Sequence, residues 1–275
     1  MLVPASRLLV RVLPAPLANR LIRFLGARSQ RPKTYAAQQE ALALAAPVRY
    51  GLDGRNVAWS WGEGPLIVFV HGWNGSAAQL APLALRMAQR GYRCVAIDVT
   101  GHGSSHGNRT GWRHFIDDVA ALTATLNEEV HAYVGHSAGG LGMMAARELK
   151  KLRARFYVCI CAPSHPFPPI RAVQQRLDPA PHLLADYKAF IAGQFGTSWD
   201  ELEAGQAFAG AGADLMLFYD RADRFVDHTE GDRLVALCRG ARLFKTADHG
   251  HSKVLGSIEL EEALSAFLVG QGAHA

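Results

Sequence analysis

Apolar residues along this chain fall into short, nearly continuous runs separated by stretches with helical spacing. The runs are Leu66–Val70, Arg93–Ile97, His131–Val134, Phe156–Cys161, Leu215–Tyr219 and Ala241–Lys245, and each predicts a buried strand. Between them, Ala77–Arg90, Phe115–Asn127, Ala138–Lys150, Thr229–Cys238 and Ile258–Leu268 place apolar residues on one helical face. Ser76 with Gln79 fits a capping box at the first of these helices. Residues 47–62 read as a hairpin: Val48 and Tyr50 precede the turn pair Asp53-Gly54, and Val57, Trp59 and Trp61 alternate after it. Apolar strands alternating with amphipathic helices predict an α/β fold with a mostly parallel central sheet and helices on both faces. Such sheets bind ligands beyond the carboxyl ends of their strands.

Two segments depart from the alternation. Between Pro163 and Ala213 there is no strand-like run, only prolines and helical pieces carrying Phe190, Phe195, Trp199 and Phe208. Ser198 and Glu201 fit a capping box there. An insert of this length at a strand's carboxyl end predicts a short helical cap over the site, at about residues 164–212. Residues 1–45 form a preface to a main domain of residues 46–275. It carries two short amphipathic segments divided by Pro14 and Pro16, the second with Leu17, Leu21, Phe24 and Leu25 on one face. Arg7 and Arg11 interrupt any secretory apolar core. Three readings follow: a helix packed on the body, an interfacial anchor on anionic lipid, or a cleaved transit-type segment.

Charge sharpens this picture. The net charge is +5, and the excess sits at the front, where no acid precedes Glu40 but Arg7, Arg11, Arg20, Arg23, Arg28, Arg31 and Lys33 do. The body is balanced and has no basic stripe with interleaved aromatics, so nucleic acid is not an expected partner. No apolar run is long enough to span a bilayer, and a cytoplasmic location, with contact at the inner membrane surface through residues 1–45 as the variant, is expected. Cys94, Cys159 and Cys161 lie in strand-like runs and Cys238 in a helix-like one, which predicts buried free thiols in a reducing compartment. Cys159 and Cys161, two apart in a strand, are expected on one face.

The chemistry concentrates at Gly135-His136-Ser137-Ala138-Gly139-Gly140, between a strand and a helix. A serine hydroxyl needs an adjacent base and open access to act as a nucleophile. A tight strand-to-helix elbow provides the access, and glycines beside it make room for the turn. The following helix directs free N–H groups at the site, which suits a developing oxyanion. The backbone N–H groups of Ala138 and of Trp73, in His71-Gly72-Trp73, are the candidate oxyanion donors; His71 reads as an orienting residue. The loop from Asp98 to Ser105 reads as structural, and His102 and His106 lack a third ligand at metal spacing. After Leu215–Tyr219 come Asp220 and Asp223, and Asp223 is the preferred partner for a base. After the last strand come His249 and His251, and His251 is the preferred base. No cofactor and no metal is expected.

With these residues the chain resembles the α/β-hydrolase fold, over about residues 47–270. The resemblance rests on His71-Gly72-Trp73, Asp98 through Ser105, Gly135 through Gly140, Asp223 in its Asp-x-x-Val setting and His251 in its Gly-His setting. The order Ser…Asp…His is the one that fold uses. The nearest likeness is to bacterial single-domain hydrolases with a short helical cap. Ser137 argues against the dehalogenases and epoxide hydrolases, whose nucleophile is a carboxylate. No His-Gly-Gly-Gly stretch is present, which disfavours the hormone-sensitive-lipase-like group. The resemblance implies a serine hydrolase cleaving a carboxylic ester or thioester of a small to medium molecule. An acyltransferase or perhydrolase using the same residues, and a binding protein without turnover, are the alternatives.

Overall fold

The computed structural model describes residues 2–31 and 33–270; residues 271–275, the end of the expected main domain, lie outside them. Three helices come first: α1 (Leu2–Val12), α2 (Ala15–Gly26) and α3 (Ala36–Ala43). The antiparallel pair β1 (Ala46–Tyr50) and β2 (Asn56–Trp61) follows, in register from Ala46 opposite Ser60 to Tyr50 opposite Asn56. The alternating part runs β3 (Leu66–Val70), α4 (Ala77–Gln89), β4 (Arg93–Asp98), α5 (Trp112–Leu126), β5 (Val130–His136), α6 (Ala138–Leu149) and β6 (Phe156–Ile160). Then come α7 (Phe167–Leu177), α8 (Pro181–Gln194), α9 (Trp199–Glu203), β7 (Leu215–Asp220), α10 (Thr229–Leu237), β8 (Arg242–Thr246), α11 (Gly250–Lys253) and α12 (Ile258–Val269).

The eight strands form one sheet in the order β1-β2-β4-β3-β5-β6-β7-β8. β2 is antiparallel to β4, and every later pairing is parallel. Parallel pairing brings the carboxyl ends of β3, β5, β6, β7 and β8 to one edge. Alternation along β3 shows why both faces are covered. Val68 and Val70 enter one core with Phe115 and Leu122 of α5 and Leu141 and Met144 of α6. Ile67 and Phe69 enter the other, with Leu80, Leu83 and Met87 of α4 and Leu260, Leu264 and Phe267 of α12. A fully buried side chain of this size stabilises by about 1.5–3 kcal/mol, so the two layers fix the positions of the strand ends.

Some local expectations change. Ser76 does occupy the N-cap of α4, but its side chain makes no capping bond. The Asp98 carboxylate takes that place, accepting the Ala77 N–H at 2.7 Å. Helix α5 begins at Trp112, three residues earlier than expected, and α3 was not anticipated. Cys161 lies one residue beyond β6 with φ of 48°, so it leaves the strand alternation. Cys159 and Cys161 consequently enter opposite cores rather than sharing a face. All four cysteines are free thiols and buried.

Residues 164–212 hold α7, α8 and α9, and the box at Ser198 and Glu201 closes on α9. The first two helices of the chain lie against this insert. Arg11 pairs with Asp178, the Asn19 amide donates to Asp186 at 2.7 Å, and the Arg7 guanidinium donates to the Gln175 carbonyl at 2.9 Å. The Arg23 guanidinium sits over the Phe190 ring, 4.4 Å from its centroid. Leu8, Leu9, Val12, Leu17 and Phe24 of these two helices are exposed. No helix among the described residues is long and apolar enough to cross a membrane.

Candidate active site

Ser137 stands between β5 and α6 with φ of 53° and ψ of −122°, a conformation side chains rarely adopt. Close packing imposes it. A Cβ on Gly135 would meet the Gly140 Cα at 2.5 Å, and one on Gly139 would collide with the carbonyls of Val70 and His71. The elbow thus rests directly on the end of β3. Its backbone is anchored by the Ser137 N–H, which donates to the Ile160 carbonyl at 2.8 Å. Ala138 is the first residue of α6, where an N–H has no acceptor within the helix. Gly72, on the neighbouring loop, approaches so closely that a Cβ there would lie 3.0 Å from the Ser137 Cβ.

The loop holding Trp73 is fixed by histidines. The His71 Nδ1 bonds the Gly72 carbonyl at 2.7 Å, and its Nε2 accepts the Val99 N–H at 3.1 Å. Burial lowers the His71 pKa to about 4, so the ring is neutral and bridges the two loops as one donor and one acceptor. His102 Nε2 accepts the Asn74 N–H at 3.2 Å, and burial lowers its pKa to about 3. Asp98 accepts from Ala77, Ser104 and Trp59, which makes it a loop organiser. His106 bonds Asn56 at 2.7 Å. The Trp73 ring stacks on Phe115, with centroids 5.6 Å apart.

The two acids at and just past the end of β7 have different surroundings. Asp220 accepts from the N–H groups of Ala222 and Gly250 on Oδ1, and from the Thr246 hydroxyl and the His249 N–H on Oδ2. It ties the β7 turn to the loop after β8. Asp223 accepts the Phe225 and Val226 N–H groups on Oδ1, at 2.7 and 3.0 Å, and faces His251 Nδ1 with Oδ2 at 2.6 Å. Burial would raise the Asp223 carboxyl, but the His251 bond and the two N–H donors outweigh it, and its pKa is lowered. With Nδ1 committed to Asp223, Nε2 is the atom of the His251 ring left to take a proton. His249 instead turns to the surface, 3.5 Å from Glu259.

Two further side chains enter the site. His136, next to Ser137, bonds the His251 carbonyl through Nε2 at 2.8 Å, and the two rings lie 4.7 Å apart. Burial, then the neighbouring His251, lowers its pKa to about 3. The neutral ring therefore donates to that carbonyl and links the elbow to the His251 loop. Cys161 places its sulfur within 4.8 Å of ligand atoms of both Asp223 and His251. Burial and then the Asp223 charge hold this thiol well above its usual range. The three residues are a possible metal set by type, but Asp223 and His251 already bind each other, and zinc sites are built on three or four free ligands. The spacing of residues gave no signal for Cys161, because its approach depends on one left-handed residue past β6.

Comparisons with known proteins agree with this architecture. The model of the alpha/beta hydrolase family matches residues 67–257. A 2-(acetamidomethylene)succinate hydrolase of Mesorhizobium japonicum is 31% identical over 140 residues, covering 49% of this chain and 50% of that protein. A bifunctional esterase/perhydrolase of Acinetobacter calcoaceticus is 38% identical over 93 residues, covering 32% of this chain and 34% of that protein. The chain therefore matches half or less of the length of these curated relatives. Among solved structures, the esterase Est1E of Butyrivibrio proteoclasticus with ferulic acid bound superposes with a TM-score of 0.59 at 14% identity, over 82% of this chain and 100% of that one. The sheet order, the elbow between β5 and α6, and the family match over most of the sheet make this chain a member of the α/β-hydrolase family.

Proposed function

We propose that this protein is a serine hydrolase that cleaves a carboxylic ester or thioester of a small molecule. The observation that carries the reading is the His251–Asp223 hydrogen bond, tied through His136 to the elbow that bears Ser137. In this reading Ser137 Oγ attacks the acyl carbon while His251 Nε2 takes its proton. Asp223 holds the ring and stabilises the imidazolium that forms. The N–H groups of Trp73 and Ala138 receive the negative charge that develops on the carbonyl oxygen. His251 then returns the proton to the leaving oxygen or sulfur, and an acyl-enzyme remains. Water, deprotonated by the same ring, releases the acid and restores Ser137.

The relative described as a bifunctional esterase/perhydrolase supports a second reading, in which hydrogen peroxide takes the place of water in the last step. Partition of the acyl-enzyme separates the two. With a 4-nitrophenyl ester as donor, hydrolysis predicts that the free acid remains the main product at millimolar peroxide. Peracid as the main product would move the assignment to perhydrolase. Failure to release 4-nitrophenol from any short 4-nitrophenyl ester, or a thiol from any short thioester, would remove both.

A further inference from the structure

The two helices that open the chain are apolar on both sides. Inward, Val10 of α1 and Ala18 and Ile22 of α2 join the core that also holds Leu177 of α7 and Leu183 and Tyr187 of α8. Away from it, Leu8, Leu9 and Val12 of α1, and Leu17 and Phe24 of α2, are between 47% and 66% exposed. Their spacings, i, i+1, i+4 and i, i+7, put each set on one helical face. Arg20 stands on the same face of α2, three residues after Leu17 and four before Phe24. A helix packed on a body in water ordinarily turns polar residues outward, so these large apolar side chains lack the partner their pattern calls for.

Charge identifies that partner. Seven of the chain's 29 lysines and arginines precede Glu40 and none of its 24 acids does, so the rest of the chain is net acidic. Of the seven, only Arg11 pairs with an acid among the described residues, Asp178 of the insert. Arg20, Arg23, Arg28, Arg31 and Lys33 are exposed. Arg31 has carbonyls as partners, those of Ser105 and Gly107. Arg109, just before α5, adds a further cation beside the apolar face. Its guanidinium lies 3.5 Å from the Phe24 ring centroid and donates to the Phe24 carbonyl at 2.8 Å. Exposed leucine and phenylalanine bordered by uncompensated arginines is the composition of a helix seated on an anionic lipid surface. A second copy of this face would set like charge against like, which opposes self-association. A nucleic acid would leave the apolar positions in water.

We propose that α1 and α2 form a docking surface for an anionic lipid bilayer. Leu8, Leu9, Val12, Leu17 and Phe24 enter the boundary between headgroups and acyl chains, and Arg20, Arg28, Arg31 and Lys33 meet the lipid phosphates. The helices have 11 and 12 residues, about 17 Å each, well short of the roughly 30 Å hydrocarbon core, so they lie along the interface. Apolar insertion and basic charge are each weak anchors alone and add when combined. The Arg11–Asp178 and Asn19–Asp186 contacts fasten the two helices to the insert, so docking sets the insert beside the membrane. The proposal goes beyond the hydrolase reading and does not depend on it, because it concerns binding and needs no turnover.

The test is sedimentation of the full-length protein with vesicles of phosphatidylcholine alone, or of phosphatidylcholine with a third phosphatidylglycerol. Partitioning onto the anionic vesicles should be higher by about tenfold or more at about 50 mM salt, and should fall toward the neutral value at about 500 mM. These comparisons use the unmodified protein and so stand whatever the stability of any variant. Leu8→Gln/Leu9→Gln/Val12→Gln and Arg20→Gln/Arg28→Gln change only exposed positions, and their melting temperatures should match the unmodified protein. Each should lower partitioning onto anionic vesicles by about tenfold. Equal partitioning onto the two kinds of vesicle, or undiminished partitioning of either variant, overturns the proposal. Dimerisation that the triple variant abolishes, without vesicle binding, would assign the face to a second copy of this chain and overturn it as well.

Discussion

His249 and His251 are two residues apart, yet the structure gives them opposite surroundings. One faces Glu259 at the surface, and the other meets a carboxylate whose side chain is fully buried. His251→Ala should therefore lower kcat/KM by about 10³-fold or more, and His249→Ala by less than about tenfold. Steady-state ester hydrolysis at one pH measures both, and the reverse order would mean that the base is misassigned. The sequence narrowed the choice to these two histidines and to Asp220 or Asp223, because all four follow strand ends. It preferred Asp223 and His251 from their places past the strand ends, and the family likeness pointed to the same two. What distinguishes them is which donors each carboxylate accepts, a property of loop conformation. Cys161 and His136 stayed hidden for the same reason: one depends on a single positive φ, the other on a bond across 115 residues of chain.

At the scale of elements, strands and helices were largely legible, since buried parallel strands and amphipathic helices write their periods into the sequence. The junctions were less so. The capping role expected of the Ser76 side chain belongs to Asp98, which no local pattern could reveal because it lies on β4, 21 residues from the Ala77 N–H that it accepts. The turn after β7 has a similar organiser. Asp220 gathers four donors from its own turn, the end of β8 and the loop after it, and the Thr246 hydroxyl and the Gly250 N–H are the closest, both at 2.8 Å. Asp220→Asn would turn an NH₂ toward donors that now meet an oxygen. Urea unfolding at neutral pH should show a loss of about 1–3 kcal/mol. Asp223→Asn should cost less stability and more turnover. Equal effects from the two substitutions would show that the acids share one role.

For the whole molecule, the buried histidines predict how stability follows pH. His71, His102 and His136 carry folded pKa values of about 4, 3 and 3, lowered first by burial. The unfolded chain takes up their protons near pH 6.5 while the folded protein does not. Stability is then highest above that pH and falls as pH drops from about 6.5 toward 4. The slope is at most about 1.4 kcal/mol per pH unit for each histidine. Urea midpoints between pH 7 and pH 4.5 measure it, and His136→Gln should flatten the curve. A flat wild-type profile would mean that these rings are protonated in the folded state.

All of these features converge on one serine held at a strained elbow. The most direct measurement is intact mass after treatment with a fluorophosphonate, for the unmodified protein and for Ser137→Ala. The account predicts a single adduct that is absent from the variant and slowed strongly by His251→Ala. Full labelling of Ser137→Ala, or no labelling of folded unmodified protein, would contradict it.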